Sequence, residues 1–551
     1  MPPLALLVPI ALPILGAALV VLLRRNEGLL ARAAASAGVW AAAVAIVALW
    51  LPVRSTEELG LGQLGFGSSF ELRLDAVAVV FSLVVLLPAA TLLALQPRTW
   101  QESTVAVLGV AAAVMAVEAG GVVLTAIAGC TAATLAVIQL DVEDLRAPRP
   151  SWAMLLAAWL ALAWAGVVLQ VHGGTAVYAA VPVSAMTVPV FALMAFAAVF
   201  GSGLLPWRGW ASRLWSRPSL RAAGVAVATL QPLGLYLLVR AYELGDGRYP
   251  QGYLHLMLAA WGVLVAFGAA ARAQAATTRR EYMAEVLPGM AGFALMSLAV
   301  GSELGLVAAL ILIATSAVIA VCLPLLPERG GPPSLLVAAA AAGVPPGLAF
   351  GGRLLGLSAA FEAGGGMGLI GLAGVATWLL SAAAAARSVG LPAGRGRPAT
   401  ETFPGVAAVL GGLAVVAGPA LGLAFVAGAS AAADVMNTQA GALENGVSSI
   451  VTVSTVIPVI ALLGPLLLMG AIALAFAKPV PSVARSESHP PLFKLYGSAL
   501  YSRIAEQVRA AAVPGEYRSL FNPGALESAA AGGAPLLWLA SLVALAFAVT
   551  R

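Results

Sequence analysis

Leu306–Ala320 reads LVAALILIATSAVIA, fifteen residues in a row without one ionisable side chain. A helix that is apolar all round sits in a large core or in lipid. Crossing roughly 30 Å of hydrocarbon takes about 20 predominantly apolar residues, and this run with its flanks reaches that length. The rest of the chain repeats the pattern. Of 551 residues 61% are hydrophobic and only 10% charged, and the mean hydropathy is +0.97, far from the values of soluble domains. Candidate spans start near residues 3, 31, 76, 104, 121, 151, 179, 222, 253, 283, 304, 332, 366, 404, 450 and 531. The expected fold is therefore an all-α polytopic membrane helix bundle of about 16 spans. Abundant Gly and Ala let such helices approach closely.

Three regions follow: a multi-span membrane domain over 1–478, an inside loop over 479–530 and a final span over 531–551. In the loop, Phe493, Leu495, Tyr496, Leu500, Ile504 and Val508 alternate with charged residues, which predicts a short amphipathic helix at the interface. Pro3–Leu23 has no basic segment before it and Arg24–Arg25 after it, so it reads as a retained first helix starting outside. Alternation then places Arg146 and Arg149, Arg213, Arg217 and Arg221, and Arg272, Arg279 and Arg280 inside. The expected location is the cytoplasmic (inner) membrane, multi-pass, with both termini outside.

Two stretches interrupt the pattern. Leu204–Leu220 (LLPWRGWASRLWSRPSL) mixes tryptophans and arginines between two spans, and Gly343–Arg353 (GVPPGLAFGGR) holds two prolines and four glycines. The first reads as a broken or interfacial segment, the alternative being an ordinary anchoring loop. Discontinuous or kinked helices are expected near Ser202–Pro206 and Gly343–Phe350, where freed backbone groups need partners inside the bundle. Cys130 and Cys322 are isolated, and His172, His255 and His489 are dispersed, so no metal site and no cofactor are expected. The net charge of +5 comes from arginine-rich loops and does not suggest nucleic acid.

Several motifs in order resemble the antiporter-like membrane subunits of respiratory complex I, cation/proton antiporters and membrane-bound hydrogenases. They are Leu74–Phe81 (LDAVAVVF), then Pro206, Trp210, Pro218 and Gly234 with Tyr236–Arg240 (YLLVR), then Gly343–Pro346 with Phe350 and Arg353. That family is thought to pass protons along a glutamate, lysines and histidines at mid-membrane. By this resemblance the corresponding positions here are Ala128, Gly201, Ala226 and Pro232, none of which titrates. Only Arg353 keeps a charge, and a guanidinium does not release its proton in a cycle.

The resemblance thus implies partners among the integral membrane subunits of a complex I-like or hydrogenase-like assembly, within the lipid bilayer. The expected role is structural, without an active site of its own, in a subunit of the NADH dehydrogenase type. The alternative is an active proton- or cation-translocating subunit of a respiratory or inorganic-carbon uptake complex. Candidate proton-path or helix-break residues are Glu118, Ser202 and Arg353. Asp75 is expected to cap a helix with Arg73 nearby, and Arg279, Arg280, Glu281 and Glu285 to form an interfacial anchor.

Overall fold

The computed structural model describes residues 3–416 apart from short connecting stretches, the longest being 144–152 and 392–402. The amphipathic helix over 479–530 and the last two expected spans lie outside the described residues.

The chain opens with α1 (Val8–Leu22) and α2 (Leu29–Val53). These cross where Gly16 faces Gly38, and a Cβ on Gly38 would come within 2.9 Å of the opposite backbone. An antiparallel hairpin follows, β1 (Glu57–Gly65) paired with β2 (Ser68–Leu74). Then come α3 (Ala76–Leu95), α4 (Trp100–Glu118), α5 (Val122–Glu143) and α6 (Ala153–Gly173). Asp75 caps α3, accepting from Ala78 N–H at 2.8 Å. Thr99 and Glu102 form a reciprocal capping box at the start of α4.

The next passage is broken: α7 (Val188–Gly201) stops short and α8 (Trp210–Trp215) follows after a loop. Three full-length helices come next, α9 (Arg221–Leu244), α10 (Gly252–Ala275) and α11 (Arg279–Ala299), then α12 (Glu303–Leu325). The second break separates α13 (Pro332–Ala342) from α14 (Leu348–Ala363); α15 (Gly365–Ser388) and α16 (Pro404–Val416) complete the described chain. Spans α9, α11 and α12 are almost wholly enclosed, whereas α1, α2, α6, α10 and α15 are the most exposed. The α10–α11 contact is close, because Gly262 and Gly292 each lie against the other helix's backbone.

This corrects the expected span count. Eleven helices among the described residues are long and apolar enough to cross a membrane, not about 16. Hydropathy detects composition, not continuity, so the runs near 179, 332 and 404 counted as spans. The first two fold as α7 and α13, helices of 14 and 11 residues, and of the third α16 covers 13 described residues. The hairpin adds two strands of nine and seven residues, too short and too rich in Glu, Gln and Arg to register as an apolar span.

Candidate functional site

Two polar centres occupy opposite ends of the bundle. The first gathers residues from β2, α3 and α9. Arg240, fully buried in α9, grips Asp75 with both terminal nitrogens, at 2.7 and 2.9 Å. The same guanidinium donates to Glu243 at 2.6 Å and to the Tyr236 hydroxyl at 2.8 Å. Tyr236 in turn donates to the Val117 carbonyl, and the faces of Tyr178 and Tyr236 lie 5.3 and 5.1 Å from the Arg240 carbon. From β2, Arg73 pairs with Glu243 at 2.8 Å and with Asp75 at 3.0 Å. Two arginines thus balance two carboxylates, with Glu58 at 3.9 Å on the rim. Burial pushes the Asp75 carboxyl up, but Arg240, then Arg73 and the Ala78 N–H, outweigh it and hold Asp75 below its ordinary range.

Glu118 closes α4 at this same end. It is 2% exposed, and neither carboxylate oxygen has a hydrogen-bond partner among the described residues. The backbone bridge between Leu72 and Ala119 ties it to the strand that carries Arg73.

The second centre lies near the far end of α10. Twenty residues separate Gly252 from Arg272, about 30 Å at 1.5 Å per residue. Arg272 pairs with buried Glu285 of α11 at 2.9 Å and also donates to the Pro206 carbonyl in the first helix break. Other freed carbonyls of that break are met by indoles: Trp210 donates to Phe200, and Trp261 of α10 to Leu204. Ser202, at the end of α7, donates to the Gln231 carbonyl of α9 at 2.9 Å. Gly234 leaves the room this contact needs; a Cβ there would collide with Ser202.

The second break uses the same chemistry. Gly343 ends α13 at φ +71°, in the left-handed region that favours glycine. Arg353 reaches back from α14 to donate to the Ala341 and Ala342 carbonyls, and Trp378 of α15 also donates to Ala342. A cation at a helix C-terminus matches the partial negative charge there. A cavity of about 30 Å³, room for about two waters, connects the centre to this break; Glu285, Tyr282, Arg353 and Ser381 line it.

These arrangements correct the functional expectation. The structural role rested on the absence of charged relay groups. Ala128, Gly201, Ala226 and Pro232 indeed carry no charge, but the chain buries charge elsewhere, in the Asp75–Arg240–Arg73–Glu243 network and the Arg272–Glu285 pair. Glu285, expected as an interfacial anchor, is 1% exposed. Asp75 does cap its helix, but its pairing with Arg240 was missed, because the two lie 165 residues apart. No group of His, Cys, Asp and Glu among the described residues could hold a metal ion.

No protein-family model matches the chain, and no curated protein matches it. Solved structures do. A chain of the Mrp complex from Dietzia sp. DQ12-45-1b superposes with a TM-score of 0.68 at 20% identity, over 98% of this chain and 70% of that one. A chain of respiratory complex I from Thermus thermophilus gives 0.63 at 18% identity, over 79% and 99%. A chain of the membrane-bound sulfane sulfur reductase, an archaeal respiratory membrane complex, gives 0.64 at 16%, over 99% and 100%. At these identities the likeness establishes the fold: this is a multi-pass membrane protein built as chains of those complexes are built, which bears out the resemblance to antiporter-like membrane subunits read from its motifs.

Proposed function

We propose that this chain is a proton- or cation-translocating subunit that works docked to other integral membrane subunits of a larger complex. Solved structures that share its fold are chains of such assemblies. The observation that carries the reading is Glu285. It is a buried carboxylate on the cavity that reaches Arg353 at one helix break, and its partner Arg272 is bonded to the other break. Acids and bases at such depth are expensive and mark ion pathways.

A proton arriving on Glu285 removes the charge that holds Arg272. The guanidinium then keeps its hydrogen bond to the Pro206 carbonyl, and the end of α7 is free to adjust. Loading and release at one carboxylate thereby act on the helix geometry around it. Ser202 and Arg353 hold the two breaks in shape, and Glu118 is the candidate entrance carboxylate at the opposite end. The arginine-rich connections near α9 and α10 favour placing the Glu285 end inside a cytoplasmic membrane, with both termini outside.

Liposomes holding the full chain and a pH-sensitive dye test this. Under an imposed pH gradient, or a sodium gradient followed with a sodium-sensitive dye, the protein should dissipate at least one gradient faster than empty liposomes. Rates no faster than those of empty liposomes, for both ions, contradict the proposal.

A further inference from the structure

We propose that the cavity beside the second helix break binds a small monovalent inorganic anion, of about chloride's size, as the counter-ion of Arg353. Two charged groups line this cavity, Arg353 and Glu285, beside the neutral Tyr282 hydroxyl. The Glu285 charge is already matched by Arg272 at 2.9 Å. Arg353, 2% exposed, has no carboxylate partner among the described residues, so the site carries one positive charge in excess.

Its two terminal nitrogens are taken by the Ala341 and Ala342 carbonyls, but its Nε is buried without a hydrogen-bond partner. The helix-end carbonyls offset only about half a charge. The rings of Phe293 and Trp378, 5.2 and 5.9 Å away, add a weaker attraction. An isolated cation in an apolar interior is strongly penalised, and a bound counter-ion relieves that penalty. The void is the right size for one such ion: at about 30 Å³ it exceeds what a single water needs, and Ala266, Ala269, Ala270, Ala273 and Gly289 form one side of its wall. A larger organic anion has no room.

The test is chloride NMR linewidth on the full chain in nanodiscs, at constant ionic strength set with gluconate. Wild type should broaden the chloride line saturably, and bromide should reverse the broadening by competing for the site. Gly289→Ala narrows the cavity and leaves Arg353 in place, since a Cβ on Gly289 meets only Ala269 at an ordinary 3.5 Å. It should weaken binding about ten-fold or more, and so should Arg353→Met. Circular dichroism on both variants confirms retained helix. Broadening no greater than with empty nanodiscs overturns the proposal, as does undiminished broadening in both folded variants. The translocation reading is scored separately: ion flux without chloride binding sinks the anion site alone, and chloride binding without flux sinks translocation alone.

Discussion

Replacing Asp75 by Asn removes one charge while keeping the helix cap, because the amide oxygen can still accept from Ala78 N–H as the carboxylate does at 2.8 Å. What is lost is the charge facing Arg240 at 2.7 and 2.9 Å and Arg73 at 3.0 Å. Removing one partner of a buried pair costs about 3–5 kcal/mol. Arg240 keeps Glu243 at 2.6 Å and Tyr236 at 2.8 Å, which argues for the lower end, about 3 kcal/mol. Equilibrium unfolding of the full chain in mixed micelles, followed by tryptophan fluorescence, measures it. Asp75→Ala should lose about 1 kcal/mol more, through the cap. Arg240→Met added to Asp75→Asn should recover part of the loss, because no orphaned cation remains in α9; the two losses should fall short of additivity by about 2 kcal/mol. Asp75→Asn within about 0.5 kcal/mol of wild type, or strict additivity, would refute the reasoning.

Acidity should expose the same pair. Asp75 lies below its ordinary value of 3.8 in the folded chain. Its contribution is therefore complete above about pH 4 and is lost as pH falls further. Unfolding measured against pH should show the gap between wild type and Asp75→Asn steady from pH 7 to 5 and closing below 4; a gap that closes between 7 and 5 would contradict this. Gly234→Ala should cost about 1–3 kcal/mol by overpacking, because its methyl would collide with Ser202 and the Ala198 carbonyl. A thermal midpoint unchanged from wild type would show that α7 and α9 have slack there.

Apolar runs were legible because lipid and core demand the same side chains over a whole helix. The two breaks were legible as well, since Pro345 and Gly343 cannot continue a helix unaided. The partners that make those breaks tolerable were not: Trp261 and Arg272 come from α10, far along the chain from the carbonyls they serve. The buried charges were hidden for a related reason. Asp75, Arg240 and Glu243 sit at span ends, where hydropathy alone reads any charge as solvated, and tertiary contact alone reveals that the ends are enclosed. Glu285 follows Arg279 and Arg280 so closely that it looked like part of a surface anchor. Helix geometry carries it about 9 Å further in.

The central claim is that Glu285 is a working group on an ion path. Its most direct measurement is ion flux through full-length protein in liposomes, wild type against Glu285→Gln, with folding checked by circular dichroism. Glutamine preserves size and hydrogen bonding to Arg272 but cannot take up and release a proton. The account predicts a wild-type flux above empty liposomes that falls about ten-fold or more in the variant, as loss of a general acid–base group does elsewhere. Equal flux through both proteins would contradict it.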